Sequence, residues 1–428
     1  MKSKIIFLLT ILIPIVSFSQ EQKGIIGTEN WLENWTNFKP NDRNYPAPDE
    51  ILNGQINKNK TLTKKNTYLL TGNVYVTNNA ILTIEPGTII KGDFESCGTL
   101  IVTKGSKIIA NGLATDPIIF TSDKEIQNRK SGDWGGLIIL GDAPINKFGG
   151  KSKINTNVDN KYSEYGGENE SSDSGIIKYV RIEYAGKKLN KESQYNGLTL
   201  AGIGNKTILE YIQVSYSNDD SFECRGGTFN LKNLVSYKAT DDDFDYTQGT
   251  QCVVNNSLAI RYPYFSDIGK SRCFEIDSYD KIENMDFTKK MTNVTAINFT
   301  AVNNEENNEN LVREAIFIRD NSIFKLEKSV VCGFKSVVLV GENKLKTKSN
   351  LENLILDNNL FSDCKKFIIN ENDEITINDN EEVKEEVSIL VSKNKFDTAK
   401  CDALFFENNT KKNADFRIKN NSTFAFSK

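Results

Sequence analysis

Asp219-Asp-Ser-Phe-Glu-Cys-Arg-Gly-Gly-Thr228 is answered, 22 residues later, by Asp241-Asp-Asp-Phe-Asp-Tyr-Thr-Gln-Gly-Thr250. The acidic pair, the Phe-acid step and the Gly-Thr close recur at one offset. Phe274-Glu275 repeats the Phe-acid step 30 residues after Phe244. Upstream, Tyr179, Val180, Ile182 and Tyr184 return as Tyr211, Ile212, Val214 and Tyr216 at an offset of 32. A sandwich has no reason to repeat side-chain identity at one coil length. A solenoid does, because each coil buries its inward residues against the coils before and after it.

Working outward, short β-rich runs fill the chain from about Tyr68, among them Val74-Tyr-Val76, Ile81-Leu-Thr-Ile84, Leu137-Ile-Ile-Leu140 and Val337-Val-Leu-Val340. Gly, Asn, Asp and Ser separate them, and no sustained helical period appears. The reading is all-β: a right-handed, single-stranded parallel β-helix of roughly a dozen coils, over residues 68–428. Asn pairs at 255–256, 303–304, 358–359, 408–409 and 420–421 suit left-handed corners and stacked amide ladders. Polar stretches at 123–131, 151–174, 303–312 and 370–387 read as loops leaving the stack. Residues 20–67 carry Trp31, Trp35, Pro40, Pro46 and Pro48 with little periodicity, and read as an N-terminal cap over the first open coil.

The first nineteen residues read as a signal peptide. Lys2 and Lys4 precede the apolar run Ile5 to Val16, and Ser17-Phe-Ser19 supplies small residues before a cleavage at Gln20. A membrane anchor needs about twenty apolar residues, more than this run has. The expectation is export to the periplasm, cell surface or extracellular space, with no transmembrane segment. Removing Lys2 and Lys4 from 53 basic residues leaves 51 against 57 acids, a net charge of −6. That excludes nucleic acid and anionic membrane as natural partners, since both need a basic face.

Histidine is absent from the chain. Ser-His-Asp and Cys-His nucleophile systems and His-ligated zinc or copper sites are therefore excluded. Seven cysteines stand in no metal-ligand spacing, and an odd count leaves at least one without a partner in the chain. Most read as small buried hydrophobes in stacked coils.

The acidic corners are the candidate site. The offset of 22 puts Asp219 over Asp241, Asp220 over Asp242 and Glu223 over Asp245, about 4.8 Å apart. Like charges that close need compensation. One reading is Ca²⁺ held among Asp219, Asp220, Asp241, Asp242 and Asp243. The other is Asx-turn capping, with Arg225 or Lys238 nearby. For catalysis the candidates are Asp220 and Asp242 as carboxylates and Arg261 as a base. For ligand stacking they are Tyr262, Tyr264 and Phe265 in one turn, and Trp134 between glycines, where packing at the rim is the competing reading.

Several stretches resemble one family: Thr83-Ile-Glu-Pro-Gly-Thr-Ile-Ile-Lys-Gly92, Gly132-Asp-Trp-Gly-Gly-Leu-Ile-Ile-Leu-Gly141, Asn196-Gly-Leu-Thr-Leu200 and Gln213-Val-Ser-Tyr-Ser217, with the two acidic corners. They are similar to exported β-helix proteins of Bacteroidetes-type bacteria, over about residues 35–280. The resemblance implies the pectin-lyase-like superfold and an envelope or extracellular place. It implies no activity. Many such relatives resemble one another in ending on a β-rich sorting domain, which the tail 420–428 does not resemble. Polygalacturonases of the superfold pair an Asp trio with a downstream Gly-His-Gly, which a chain without histidine cannot supply. The functional expectation is a non-enzymatic protein that binds a polysaccharide or another envelope component, or is purely structural. The alternative is a lyase or hydrolase acting on acidic polysaccharide.

Overall fold

Phe222 lies directly across from Phe244, and Phe244 from Phe274, in parallel register. Their rings stack in the interior at centroid distances of 4.8 and 5.5 Å. The repeat read in the sequence is therefore the coil of the fold. The computed structural model describes residues 22–190, 193–266, 271–279, 281–305, 311–319, 321–341, 351–370 and 381–419. The expected signal peptide, 1–19, and the tail 420–428 lie outside them.

Three parallel sheets run the length of the stack. The first climbs from 50–52 through 118–120, 235–237 and 300–303 to 395–397. The second climbs from 54–56 through 99–102, 198–203, 222–227 and 274–276 to 366–370, in eleven strand segments. The third climbs from 60–62 through 107–111, 208–210 and 251–255 to 354–357. Inward residues of all three form one continuous core, from Leu52 and Leu62 to Leu356 and Ile368. Every strand between the ends has partners on both sides, so backbone groups are satisfied from coil to coil.

From Tyr179 to Asn358 the chain turns through one left-handed residue per coil between the third and first sheets. Tyr179, Tyr211, Asn233, Asn256, Asn298, Lys328 and Asn358 have φ between 48° and 57°. Asn fills four of these seven corners. Tyr179 and Tyr211 are bulkier than that conformation favours, and their rings stack on each other at 4.4 Å. The next position carries a polar ladder. Ser329 Oγ accepts the Phe299 N–H, Asn359 Oδ1 the Ser329 N–H, and Asn394 Oδ1 the Asn359 N–H.

Of the stretch 20–67, the described residues 22–67 do not sit as a cap over the first coil. Residues 50–56 and 60–62 are the first strands of the sheets themselves. Ile25, Leu32 and Trp35 instead pack along the side of the stack, beside Val235, Tyr237, Leu258, Ile260 and Val330. Aromatic rings projecting from left-handed corners need cover there, and an unpatterned apolar segment supplies it. At the other end a helix, Glu381–Ser392, brings Val387 and Leu390 against the core. Part of the stretch 370–387 is thus helical rather than a loop; 371–380 falls outside the described residues. The excursion 151–174 leaves the stack as expected, then folds back. Its antiparallel pair, Ser152–Lys153 with Glu164–Tyr165, holds Ile154, Val158 and Tyr165 against Ile101, Ile138 and Leu140.

One disulfide, Cys332–Cys401, is present. Cys224, Cys252 and Cys273 are buried thiols, while Cys97 and Cys364 are part-buried. No helix among the described residues is long and apolar enough to cross a membrane.

Candidate acidic cleft

The chain enters the second sheet at the corner that carries the acids. Asn196, Asp220 and Asp242 occupy equivalent positions on successive coils, two residues before the aligned strand residues Leu198, Phe222 and Phe244. Each aspartate is fastened to the coil above. Asp220 Oδ1 accepts the Asp242 N–H at 3.1 Å, and Asp242 Oδ1 accepts the Arg272 N–H at 2.5 Å. Asp242 is almost wholly buried by this arrangement. The corner is thus a capping ladder, in which a carboxylate satisfies a backbone donor that the strand ladder has not yet reached.

Asp219 and Asp241 stand one residue earlier and open outward. Carboxylate oxygens of Asp219, Asp220 and Asp241 lie within 4.8 Å of one another, and so do those of Asp220, Glu223 and Asp245. Burial, and then the neighbouring acids, push Asp219 and Asp220 well above the ordinary carboxylate range. Burial and the Glu275 and Asp241 charges do the same to Asp242. After burial, the Asp241 charge is the largest cause raising Asp219.

The outward row of the second sheet continues the acids. Glu223, Asp245 and Glu275 lie side by side in register. Glu223 is compensated by Arg225 Nε at 2.6 Å and by Asn196 Nδ2 at 2.5 Å. Glu275 is compensated by Arg319 at 2.8 Å and Arg272 at 3.3 Å. The Asp245 side chain between them makes no hydrogen bond or ion pair within the described residues, and burial with Asp277, Glu275 and Glu223 around it raises its pKa.

These groups border a cleft of about 500 Å³. Asn196, Gln194, Asn218 and Thr240 line it together with Asp219, Asp220, Asp241, Glu223 and Arg225. Asn155, from the 151–174 excursion, closes one side, and Lys188 stands exposed at the rim.

Several expected site residues are elsewhere. Asp243 points inward and forms a fully buried ion pair with Arg261, at 3.0 Å. Ser236 also donates to it. Arg261 further donates to the carbonyls of Arg272 and Asp241, both at 2.7 Å. Neither residue reaches the cleft, because each neutralises the other inside the corner. Trp134 is completely buried, donates to the Glu183 carbonyl at 2.8 Å, and stacks on Phe120. Gly92 has no side chain for its sake: a Cβ there would lie 2.5 Å from the Trp134 Cβ. Tyr262 is buried with its hydroxyl on Thr410, and its ring sits 4.2 Å from the Lys238 ammonium. Phe265 meets Tyr216 edge-on, and Tyr264 alone of that turn is largely exposed. None of the four aromatics lines the cleft.

The sequence reading missed Asn196, Gln194 and Asn155. The signal for Asn196 was present. Asn196-Gly-Leu198 stands 24 residues before Asp220-Ser-Phe222, as one more coil of the same corner. Gln194 and Asn155 reach the cleft from segments outside the repeat, so no offset marks them.

The pectate-lyase-like β-helix domain matches residues 54–403, and the chain belongs to that family. No curated protein and no solved structure matches it.

Proposed function

We propose that this is an exported, carbohydrate-binding β-helix that takes a glycan in the acidic cleft without cleaving it. The observation that carries the reading is the lining. Amides of Asn155, Gln194, Asn196 and Asn218 and the hydroxyl of Thr240 line one cleft together with four carboxylates. Amides and carboxylates together match the mixed donors and acceptors of sugar hydroxyls. Export is supported by the first nineteen residues and by the disulfide, which belongs to an oxidising compartment.

Cleavage is disfavoured by geometry. Paired carboxylates that hydrolyse a glycosidic bond stand about 5–5.5 Å or about 6.5–9.5 Å apart. Here oxygens of Asp219, Asp220 and Asp241 gather within 4.8 Å of one another, and burial raises Asp219 and Asp220 alike rather than setting one carboxyl apart as acid and another as base. Arg225 and Arg272 are committed to Glu223 and Glu275, and Arg261 to Asp243.

One observation favours a second reading, a Ca²⁺-dependent lyase. Ca²⁺–oxygen distances of about 2.3–2.6 Å allow oxygens on opposite sides of an ion to stand about 5 Å apart. Asp219, Asp220 and Asp241 meet that span, and they are the residues that would hold the ion. Lys188 at the rim would then be the base. Affinity electrophoresis in gels of neutral and uronic-acid polysaccharides, with and without Ca²⁺, tests the binding site. Retardation by at least one polysaccharide, relieved by Asn196→Ala and Gln194→Ala, is the expected result. No retardation in any gel, or retardation unchanged in both variants, overturns this placement of the site.

A further inference from the structure

We propose that the N-terminal segment and the C-terminal hairpin form an oxidation-dependent latch, closed by Cys332–Cys401, that fastens the stack along its length. Residues 23–45 run down the side of the solenoid against the order of the coils. The Lys23 ammonium donates to Asn358 at the late end. Gly24 N–H then bonds the Lys328 carbonyl at 2.7 Å, Ile25 N–H the Thr300 hydroxyl at 2.9 Å, and Ile26 N–H the Asn256 side chain at 2.7 Å. Further down, Asn37 and Gln213 exchange two hydrogen bonds, Tyr45 reaches Glu183, and the Arg43 carbonyl receives Arg129. The partners span positions 129 to 358. This strap therefore has no complete docking face until the late coils exist, although it comes first in the chain.

The outer side of the strap is held by the hairpin Phe405–Glu407 and Asp415–Ile418. Asn30 donates to the Ala414 carbonyl at 2.8 Å, Asn413 to Glu33 at 2.9 Å, and Arg417 to the Gly27 carbonyl at 3.0 Å. Leu404, Phe405 and Phe416 bury themselves with Ile25, Leu32 and Trp35 in one apolar cluster. The hairpin itself pairs with no strand of the stack. Among the described residues no backbone–backbone hydrogen bond joins 401–419 to the coils. Side chains of Asn304, Tyr237 and Tyr262 reach Asn408 and Thr410, and besides the main chain leaving strand 395–397 the covalent tie is Cys332, in the first sheet, to Cys401, at the start of the short helix that leads into the hairpin.

The chemistry is a two-electron oxidation. The Cys332 and Cys401 thiols lose two protons and two electrons to a disulfide-bearing oxidant, which leaves as two thiols. With Cys332 fully buried and Cys401 nearly so, a reductant reaches the bond only after the hairpin opens. The bond thus forms as the late coils and hairpin come together, the strap docks beneath, and the closed latch shields its own sulfurs.

The test is to unfold the full chain and refold it with a glutathione redox pair or with excess dithiothreitol, then digest briefly with chymotrypsin. Trp31 and Trp35 report the strap, since both are held against Tyr211 when it is docked. Trp134 reports the stack interior. In the reduced chain, cuts after Trp31 and Trp35 are expected at least about tenfold faster, with Trp134 still protected. Cys401→Ser refolded with the redox pair should match the reduced chain. Asn30→Ala with Arg417→Ala should keep the disulfide yet speed the strap cuts. Equal strap protection in oxidised and reduced chains overturns the latch. So does cleavage at Trp134 as fast as at Trp35 in the reduced chain, because the bond would then hold the whole stack.

Discussion

Replacing Arg261 with Met should destabilise the protein strongly, and it also frees the backbone carbonyl of Asp241 at the edge of the cleft. Both members of the Arg261–Asp243 pair are fully buried. Removing the guanidinium leaves the buried carboxylate with only the Ser236 hydroxyl and the Cys273 thiol as side-chain partners. Breaking one side of a buried pair costs about 3–5 kcal/mol. The matched domain, residues 54–403, spans 350 residues, and at about 2.1 cal/mol/K per residue its unfolding entropy is about 0.74 kcal/mol/K. The expected fall in Tm is therefore about 4–7 °C. Burial already raises the Asp243 pKa against the pull of Arg261. Without Arg261 that carboxyl should take up a proton on folding, so the loss should shrink on acidification. The double variant Arg261→Met with Asp243→Leu should recover most of the stability, since both charges are then gone. Thermal melts of the three variants at two pH values make the assay. An Arg261→Met midpoint within about 1 °C of the parent, or a double variant no better than the single, refutes the buried-pair reasoning.

Phe244→Ala should cost about 3–5 kcal/mol in a denaturant melt, since its ring stacks between Phe222 and Phe274 in the core. The raised pKa values of Asp219, Asp220, Asp242 and Asp245 make the folded chain bind more protons than the unfolded one. Their stabilisation is full below the ordinary aspartate value of about 3.9 and is lost as pH rises through the folded values. Tm should accordingly fall across that window, with a shallower slope in Asp219→Asn. If Ca²⁺ occupies Asp219, Asp220 and Asp241, a hundredfold excess over Kd should add about 2.7 kcal/mol. Chelator should then lower Tm in the parent and not in Asp241→Asn; an unchanged parental midpoint leaves the corner as capping alone.

How much was legible follows from which interactions repeat. The Phe222–Phe244 stack and the Glu223–Asp245 pairing recur at the coil length, so side-chain identity carried them in the sequence. So did the stacking of Asp219 on Asp241. The offset could not say which way a carboxylate turns. Asp219 and Asp241 open outward, Asp242 caps the next coil, and Asp243 turns in to Arg261. Direction depends on one residue of phase at a corner, where the alternation of a strand no longer applies. Trp134 and Tyr262 had the composition of a stacking platform. Their burial depends on Phe120 and Thr410, which lie outside their own motifs. The strap was illegible as such, because its partners from Arg129 to Asn358 lie far along the chain and share no period with it.

Binding at the cleft without cleavage is tested by incubating the refolded, oxidised chain with a retained polysaccharide, with and without Ca²⁺. Reducing ends and the absorbance of unsaturated products are followed over many hours. Flat traces with bound polysaccharide throughout are the expected result. Steady product formation that disappears in Asp220→Asn would contradict it and make the cleft an active site.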